Sequence, residues 1–72
     1  MSIKNDLKTL GKNIKESRMK NGLSKFQLAK KSRVNISTIA RLERGIGNPL
    51  ISTLYKISLA LKTDLYILYK GI

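Results

Sequence analysis

Residues 24–45, SKFQLAKKSRVNISTIARLERG, constrain the fold of this chain more than any other stretch. Two residues of the N-cap type, Ser24 and Asn35, each precede a short run with apolar residues at helical spacing. The side-chain oxygen of such a residue satisfies orphan backbone N–H groups at a helix start. Gln27, three residues after Ser24, completes a capping box, and Leu23 before the cap pairs with Leu28 inside the helix as a hydrophobic staple. The second opener repeats the device, with Val34 before Asn35 and Ile39 beyond it. Two capped helices separated by so few residues must fold back steeply. The pattern predicts helices over about 25–32 and 36–44 joined by a tight turn, a helix-turn-helix unit of the kind that lays its second helix in the major groove of DNA.

The flanking chain is helical as well. Ile3, Leu7, Leu10 and Ile14 share one face of a first helix over about 4–21, which Gly22 ends in the C′ role. Gly45-Ile46-Gly47-Asn48-Pro49 is a loop. A fourth helix over about 52–61 carries Leu54, Ile57, Ser58 and Leu61 on one side, and Asp64 is expected to cap a short fifth helix to about residue 69. No segment has the signature of a strand. The expectation is one all-α domain over residues 1–72, compact and five-helical.

Charge bounds the function. Fifteen Lys and Arg face four acids, a net charge of +11, which in a small domain is the footprint of a polyanion binder. Charge alone also fits mere solubility, or an AT-rich genome that favours Lys and Ile codons; the helix-turn-helix beside it favours DNA. With neither Cys nor His there are no disulfides, thiolate catalysis or usual zinc sites, and Asp6, Glu16, Glu43 and Asp64 make no catalytic constellation. An enzyme, a metal, a cofactor and a small-molecule ligand are therefore not expected. No apolar run reaches the roughly 18–20 residues of a membrane span, and the N-terminal MSIKNDLKTLGK lacks the apolar core of a secretory signal, so a cytoplasmic protein is expected. Membrane-surface binding is disfavoured by the lack of a cationic face opposite a broad apolar one. RNA binding is disfavoured by the scarcity of aromatics for base stacking.

At 100° per residue, Ser37, Arg41 and Arg44 fall within about 60° of one another, while Ile39 and Leu42 lie on the opposite side of the second helix. The first three form an outward stripe and the last two face the core. Arg41 is the natural base reader, since its planar fork matches O6 and N7 of guanine; the alternative is a solvated charge. Ser37 can bond a base edge or a phosphate. Ile36, at the rim of the same face, suits a thymine methyl or else packs on Phe26. Lys25 at the N-terminus of the first unit helix, Arg33 in the turn, and Arg44 and Asn48 around the following loop are candidates for phosphate contact. The cap residues Ser24 and Asn35 join them. Lys8, Lys12, Lys15 and Lys20 form a solvated face of the first helix.

Leu28-Ala29, Val34, Ile39, Leu42-Glu43-Arg44-Gly45 and Asn48-Pro49, together with Arg18 and Leu61, form a combined pattern that covers roughly residues 10–69. In it the chain resembles the bacteriophage repressor and Cro type of helix-turn-helix domain, the XRE family. The resemblance implies a lambda-repressor-like fold and a stand-alone transcription regulator similar to small phage repressors and restriction–modification controller proteins. It implies base contacts at Ile36, Ser37 and Arg41, with Thr38 flanking, and a partly buried ion pair between Arg18 and Glu43. Three departures stand out: Lys25 and Ile36 replace a frequent glutamine pair, Arg33 stands where the turn commonly has glycine, and Lys62 stands where a C′ glycine is usual.

One recognition helix reads few base pairs, so a homodimer on a palindromic operator is expected. Leu65 and Leu68 suffice to dock the fifth helix, which leaves Tyr66, Ile67, Tyr69 and Ile72 for a dimer interface, unless Tyr66 and Ile67 cover Tyr55 and Leu59 within one chain. The competing class is a protein-interaction module, antitoxin-like, on the same fold. Acidic or apolar residues on the outward face of the second unit helix would favour it, and Ser37, Arg41 and Arg44 do not.

Overall fold

The computed structural model describes residues 3–72. It holds five helices and, among the described residues, no strand: α1 (Ile3–Lys20), α2 (Lys25–Ser32), α3 (Ile36–Glu43), α4 (Ile51–Ala60) and α5 (Leu65–Leu68). α1 packs on α3 and α5, α2 packs on α3 and α4, and α4 packs on α5. Between them lies a core of Leu10, Ile14, Leu28, Ala29, Ile39, Leu42, Leu54, Ile57, Ala60, Leu61 and Leu68, with Leu23 and Val34 against it. Leu23 and Val34 are the residues just before the two caps, so each cap enters its helix with an apolar neighbour pinned to the core.

Four of the helices end in one way. After α1, Gly22 takes a left-handed backbone, its N–H reaches the Met19 carbonyl at 3.0 Å, and the Leu23 N–H reaches the Arg18 carbonyl at 3.1 Å. The same pair of bonds closes α2 around Arg33, α3 around Gly45 and α4 around Lys62. This is the Schellman motif, which satisfies the orphan carbonyls of the last turn. Glycine adopts that backbone freely; Arg33 at φ 58 and Lys62 at φ 55 do so at a cost of about 1–2 kcal/mol each. The two departures from glycine therefore leave the turns intact, and the chain carries the strain.

α1 organises the rest through small and polar residues. Gly11 lies against the end of α3, where a Cβ would collide with the Leu42 carbonyl oxygen and crowd that of Glu43 at 3.0 Å. Backbone meets backbone here, which only glycine permits. Asn13 donates to the carbonyls of Leu68 at 2.9 Å and Lys70 at 2.8 Å, so α1 caps the C-terminal turn of α5. Asn21 donates to the Leu61 carbonyl at 3.3 Å beyond α4.

Two expectations need correction. Ile3 is 78% exposed: the first turn of α1 projects beyond the core, which begins on this helix at Leu10, with Leu7 half-buried. Asp64 holds the N-cap backbone of α5 but makes no side-chain bond; the turn is closed by the Ile67 N–H on the Asp64 carbonyl at 3.0 Å. 

Two substitutions should move stability in opposite directions in urea melts. Lys62→Gly relieves about 1–2 kcal/mol of left-handed strain against about 0.5–1 of added chain entropy, a net gain of about 0.5–1 kcal/mol. Gly11→Ala, though it favours helix, forces α1 and α3 apart and should cost about 1–3 kcal/mol. A neutral Gly11→Ala would mean that the close approach constrains nothing.

Candidate nucleic-acid interface

α3 is short, and its two faces are sharply different. Ile39 and Leu42 are buried, whereas Ile36, Ser37, Arg41 and Arg44 are exposed and Thr38 is half-buried. The stripe formed by Ser37, Arg41 and Arg44 thus points out of the molecule over about two helical turns. Arg41 lies beside the loop that follows: a Cβ on Gly47 would stand 3.7 Å from its Nη2. Thr38, Arg41 and Asn48 line one shallow cleft of about 200 Å³ with Ile46, Gly47 and Pro49, so the structure brings two base-contact candidates next to a phosphate-contact candidate.

At the other end of α3, Ile36 lines a notch with Phe26, Ala29, Lys30, Arg33, Val34 and Asn35. Ile36 is 46% and Phe26 62% exposed, so the notch leaves Ile36 open rather than buried under the phenyl ring. Phe26 enters the sequence reading only as a packing partner for Ile36, and Lys30 not at all. Their signal was available in the periodicity of α2, which turns positions 26, 30 and 33 away from the buried Leu28, Ala29 and Ser32.

The helix starts are locked by their caps. Ser24 Oγ accepts the Gln27 N–H at 3.0 Å while Gln27 Oε1 accepts the Ser24 N–H at 2.8 Å. Asn35 Oδ1 accepts the Ser37 N–H at 2.9 Å and the Ser37 hydroxyl at 2.8 Å. With its oxygen so engaged, the Asn35 amide group keeps two N–H donors. Lys25 is exposed at the first residue of α2, and Arg33 is exposed between the notch and a groove lined by Lys31, Lys56 and Lys62.

Arg18 and Glu43 fix how α3 is presented. Arg18 Nε donates to Glu43 Oε2 at 2.7 Å and Nη2 to Oε1 at 3.0 Å, a bidentate pair. Nη1 donates to the Leu23 carbonyl at 2.8 Å. The side chains are only 10% and 3% exposed. One guanidinium therefore joins the end of α3, the end of α1 and the turn into α2.

The C-terminal candidates divide. Tyr66 and Ile72 are exposed, and Ile67 is half-buried. Tyr69 packs on the core instead of remaining surplus, because α5 is too short for Leu65 and Leu68 alone to close its underside. Tyr66 and Ile67 do not cover α4: Tyr55 is 53% and Leu59 59% exposed. With Ile51 at 65% they form a stripe at i, i+4, i+8 spacing, and Leu50 adds to it at 68%. Periodicity assigns these residues to a helix but does not reveal that this side of it is left without a neighbour.

Among the described residues no group of acids, Cys or His could hold a metal ion, and no helix is long and apolar enough to cross a membrane.

Residues 14–68 match the helix-turn-helix family HTH_3. No curated protein sequence matches the chain. Several solved structures do. An HTH_3 family transcriptional regulator from Vibrio cholerae superposes with a TM-score of 0.88 at 25% identity, over 94% of this chain and 38% of the other, so this chain spans well under half of that regulator. The restriction-modification controller protein C.AhdI from Aeromonas hydrophila superposes with a TM-score of 0.88 at 31% identity, over 90% of this chain and 98% of that one. A chain of the SinR protein/SinI protein complex gives a TM-score of 0.81 at 33% identity, over 86% of this chain and 61% of the other. The fold is the all-α, lambda-repressor-like one of these regulators.

Removing one partner of the buried pair leaves the other charged and without its counter-ion. Glu43→Leu or Arg18→Met alone should each cost about 3–5 kcal/mol in denaturant melts, and the double substitution should recover most of it. Additive losses would mean that the two side chains do not act as a pair.

Proposed function

The chain belongs to the helix-turn-helix family HTH_3, and on that premise we propose that it is a cytoplasmic, sequence-specific regulator of transcription that binds a palindromic operator in double-stranded DNA as a homodimer. The observation that carries this reading is the outward stripe of α3: Ser37, Arg41 and Arg44, exposed and free of acids, on a chain of net charge +11. The arginines of such a helix offer donors to the major groove, and the excess charge draws it to the phosphates.

Within this reading Arg41 takes the O6 and N7 edge of a guanine, Ile36 meets a thymine methyl, and Ser37 and Thr38 complete the base-reading surface. Lys25, Arg33, Arg44 and Asn48 neutralise or bond phosphates and so fix the register. Ser24 and Asn35 join them: each cap oxygen is engaged inward, while the Ser24 hydroxyl proton and the Asn35 N–H groups remain free to donate. Arg18 and Glu43 touch no DNA and hold the helix that does.

The homodimer is supported by the unpartnered surface of α4 and the C-terminal segment. Ile51, Tyr55, Leu59 and Tyr66 place apolar area and tyrosine tips at the surface, the composition of an interface core. A two-fold dimer would set two recognition helices about 34 Å apart, one turn of the duplex. The superposition on nearly the whole of a restriction-modification controller protein supports a regulator of that type.

Affinity for a selected operator should fall steeply with salt, with a slope set by about six to ten phosphate contacts per dimer. Arg41→Ala should relax preference at one base position by about 1–3 kcal/mol, whereas Lys25→Ala should weaken all sequences alike and reduce the salt slope. Fluorescence anisotropy on operator and scrambled duplexes at several salt concentrations measures both; equal affinity for the two duplexes at every salt would sink the reading.

For the dimer, Leu59→Asp and Tyr66→Asp should shift sedimentation to monomer with helical content retained and lower operator affinity at least tenfold. Tyr69 is unsuitable for this purpose because it packs on the core. A parent protein that is monomeric at high micromolar concentration and occupies a single half-site would refute the dimer.

A further inference from the structure

Asn35 and Ser37 share more than a helix cap. The Ser37 backbone N–H can only donate, so the Asn35 atom that it meets at 2.9 Å must be the oxygen. That same oxygen lies 2.8 Å from Ser37 Oγ. Two oxygens at this distance need a proton between them, and an amide oxygen has none to give. The proton is therefore the hydroxyl's, and Ser37 has spent its one donor inside the protein. What it turns outward is a pair of acceptor lone pairs.

From this we infer that Ser37 reads DNA as an acceptor and selects an exocyclic amino group, N6 of adenine or N4 of cytosine, at the base that it faces. The inference rests on the proposal above that the outer face of α3 enters the major groove. Phosphate oxygens, guanine O6 and N7 and thymine O4 are all acceptors, and two acceptors brought together repel. Ser37 meets any of them only by turning its hydroxyl away from Asn35 and losing that bond, a penalty of about 3- to 10-fold in affinity. Asn35 is thus a positioning residue: it touches the serine and sets the polarity of what the serine presents.

The contrast with the neighbouring groups sharpens the assignment. Ser24 is also an N-terminal serine, but its oxygen accepts the Gln27 N–H and its own proton stays free, which suits a phosphate. Arg41, one helical turn beyond Ser37, carries donors only. The recognition surface thus presents an acceptor and a donor fork side by side, and the two demand an amino group and a guanine acceptor edge respectively at neighbouring positions of the half-site.

The test begins with binding sites selected from randomised duplexes by the wild-type protein, Ser37→Ala, Asn35→Ala and Asn35→Asp. At the position whose preference depends on Ser37, the selected base should be adenine or cytosine. Replacing that adenine by purine, or that cytosine by 2-pyrimidinone, removes only the amine; affinity by anisotropy should drop about 3- to 10-fold for the wild type and not at all for Ser37→Ala. Asn35→Ala releases the hydroxyl and should admit guanine or thymine there, while the guanine preference due to Arg41 is unchanged. Asn35→Asp keeps an acceptor-only partner and should retain the amine preference at reduced overall affinity. A Ser37-dependent preference for guanine or thymine in the wild type would overturn the inference, as would amine removal costing the same with and without Ser37. Absence of any sequence preference would instead remove the DNA-reading proposal itself, and this inference with it.

Discussion

The guanidinium of Arg18 sits where three segments converge. It binds both oxygens of Glu43 at the end of α3 and the carbonyl of Leu23 in the turn that leads to α2. Charges this deeply buried are costly unless their hydrogen-bonding capacity is met, and here no buried side-chain nitrogen or oxygen among the described residues is left without a partner. The pair is weak grounds for high stability, because an apolar pair could fill the same space. Its consequence is geometric: a planar bidentate fork has one good orientation, so the last turn of α3 has one place to be. Gly11 acts next to it by bringing the α1 backbone against the Leu42 and Glu43 carbonyls, which a side chain would prevent. Between them these two contacts set the angle at which the recognition helix leaves the body of the protein.

Helix ends define the other dimension. Each of the first four helices stops on a left-handed residue with the same two reversing bonds, so the chain changes direction four times by one mechanism. Two of these stops, Arg33 and Lys62, carry cations where glycine would be easier. Both side chains line the same groove with Lys31 and Lys56, which gathers positive charge between the end of α2 and α4. A modest local strain is thus spread over two exposed turns, away from the core.

The proposed function follows from how α3 is dressed rather than from what it is made of. The caps of α2 and α3 draw the oxygens of Ser24 and Asn35 inward and leave N–H and O–H donors at the surface, where a polyanion would meet them. The same economy commits the proton of Ser37 to Asn35 and turns a residue of indifferent polarity into an acceptor. Arg41 lies beside Gly47, so the loop after α3 forms one wall of the shallow cleft that Thr38 and Arg41 line.

Much of this was legible in the linear chain. The capping box of Ser24 and Gln27, the alternation that buries Ile39 and Leu42 and exposes Ser37 and Arg41, and the turn over 45–49 are local, and local patterns survive translation into structure because helix geometry is periodic. The identity of Arg18 and Glu43 as partly buried partners came through resemblance; the depth of their burial did not, since exposure depends on residues far away in sequence. Nothing local in the sequence marks Gly11 as a contact; the close approach of α3 does. Tyr69 looked surplus until the short α5 needed it on the core, and Tyr55 and Leu59 looked coverable until the C-terminal segment passed elsewhere. The hydrogen bond that decides the polarity of Ser37 is local yet was also unreadable, because a sequence lists donors and acceptors without saying which rotamer brings them together. Sequence alone settled where the helices start and stop and which side of each is apolar, for those depend on neighbours within a few residues. Tertiary structure alone decided which apolar side is left without a partner, which charge is buried and which proton is already spent, for each of these depends on what arrives from another part of the chain.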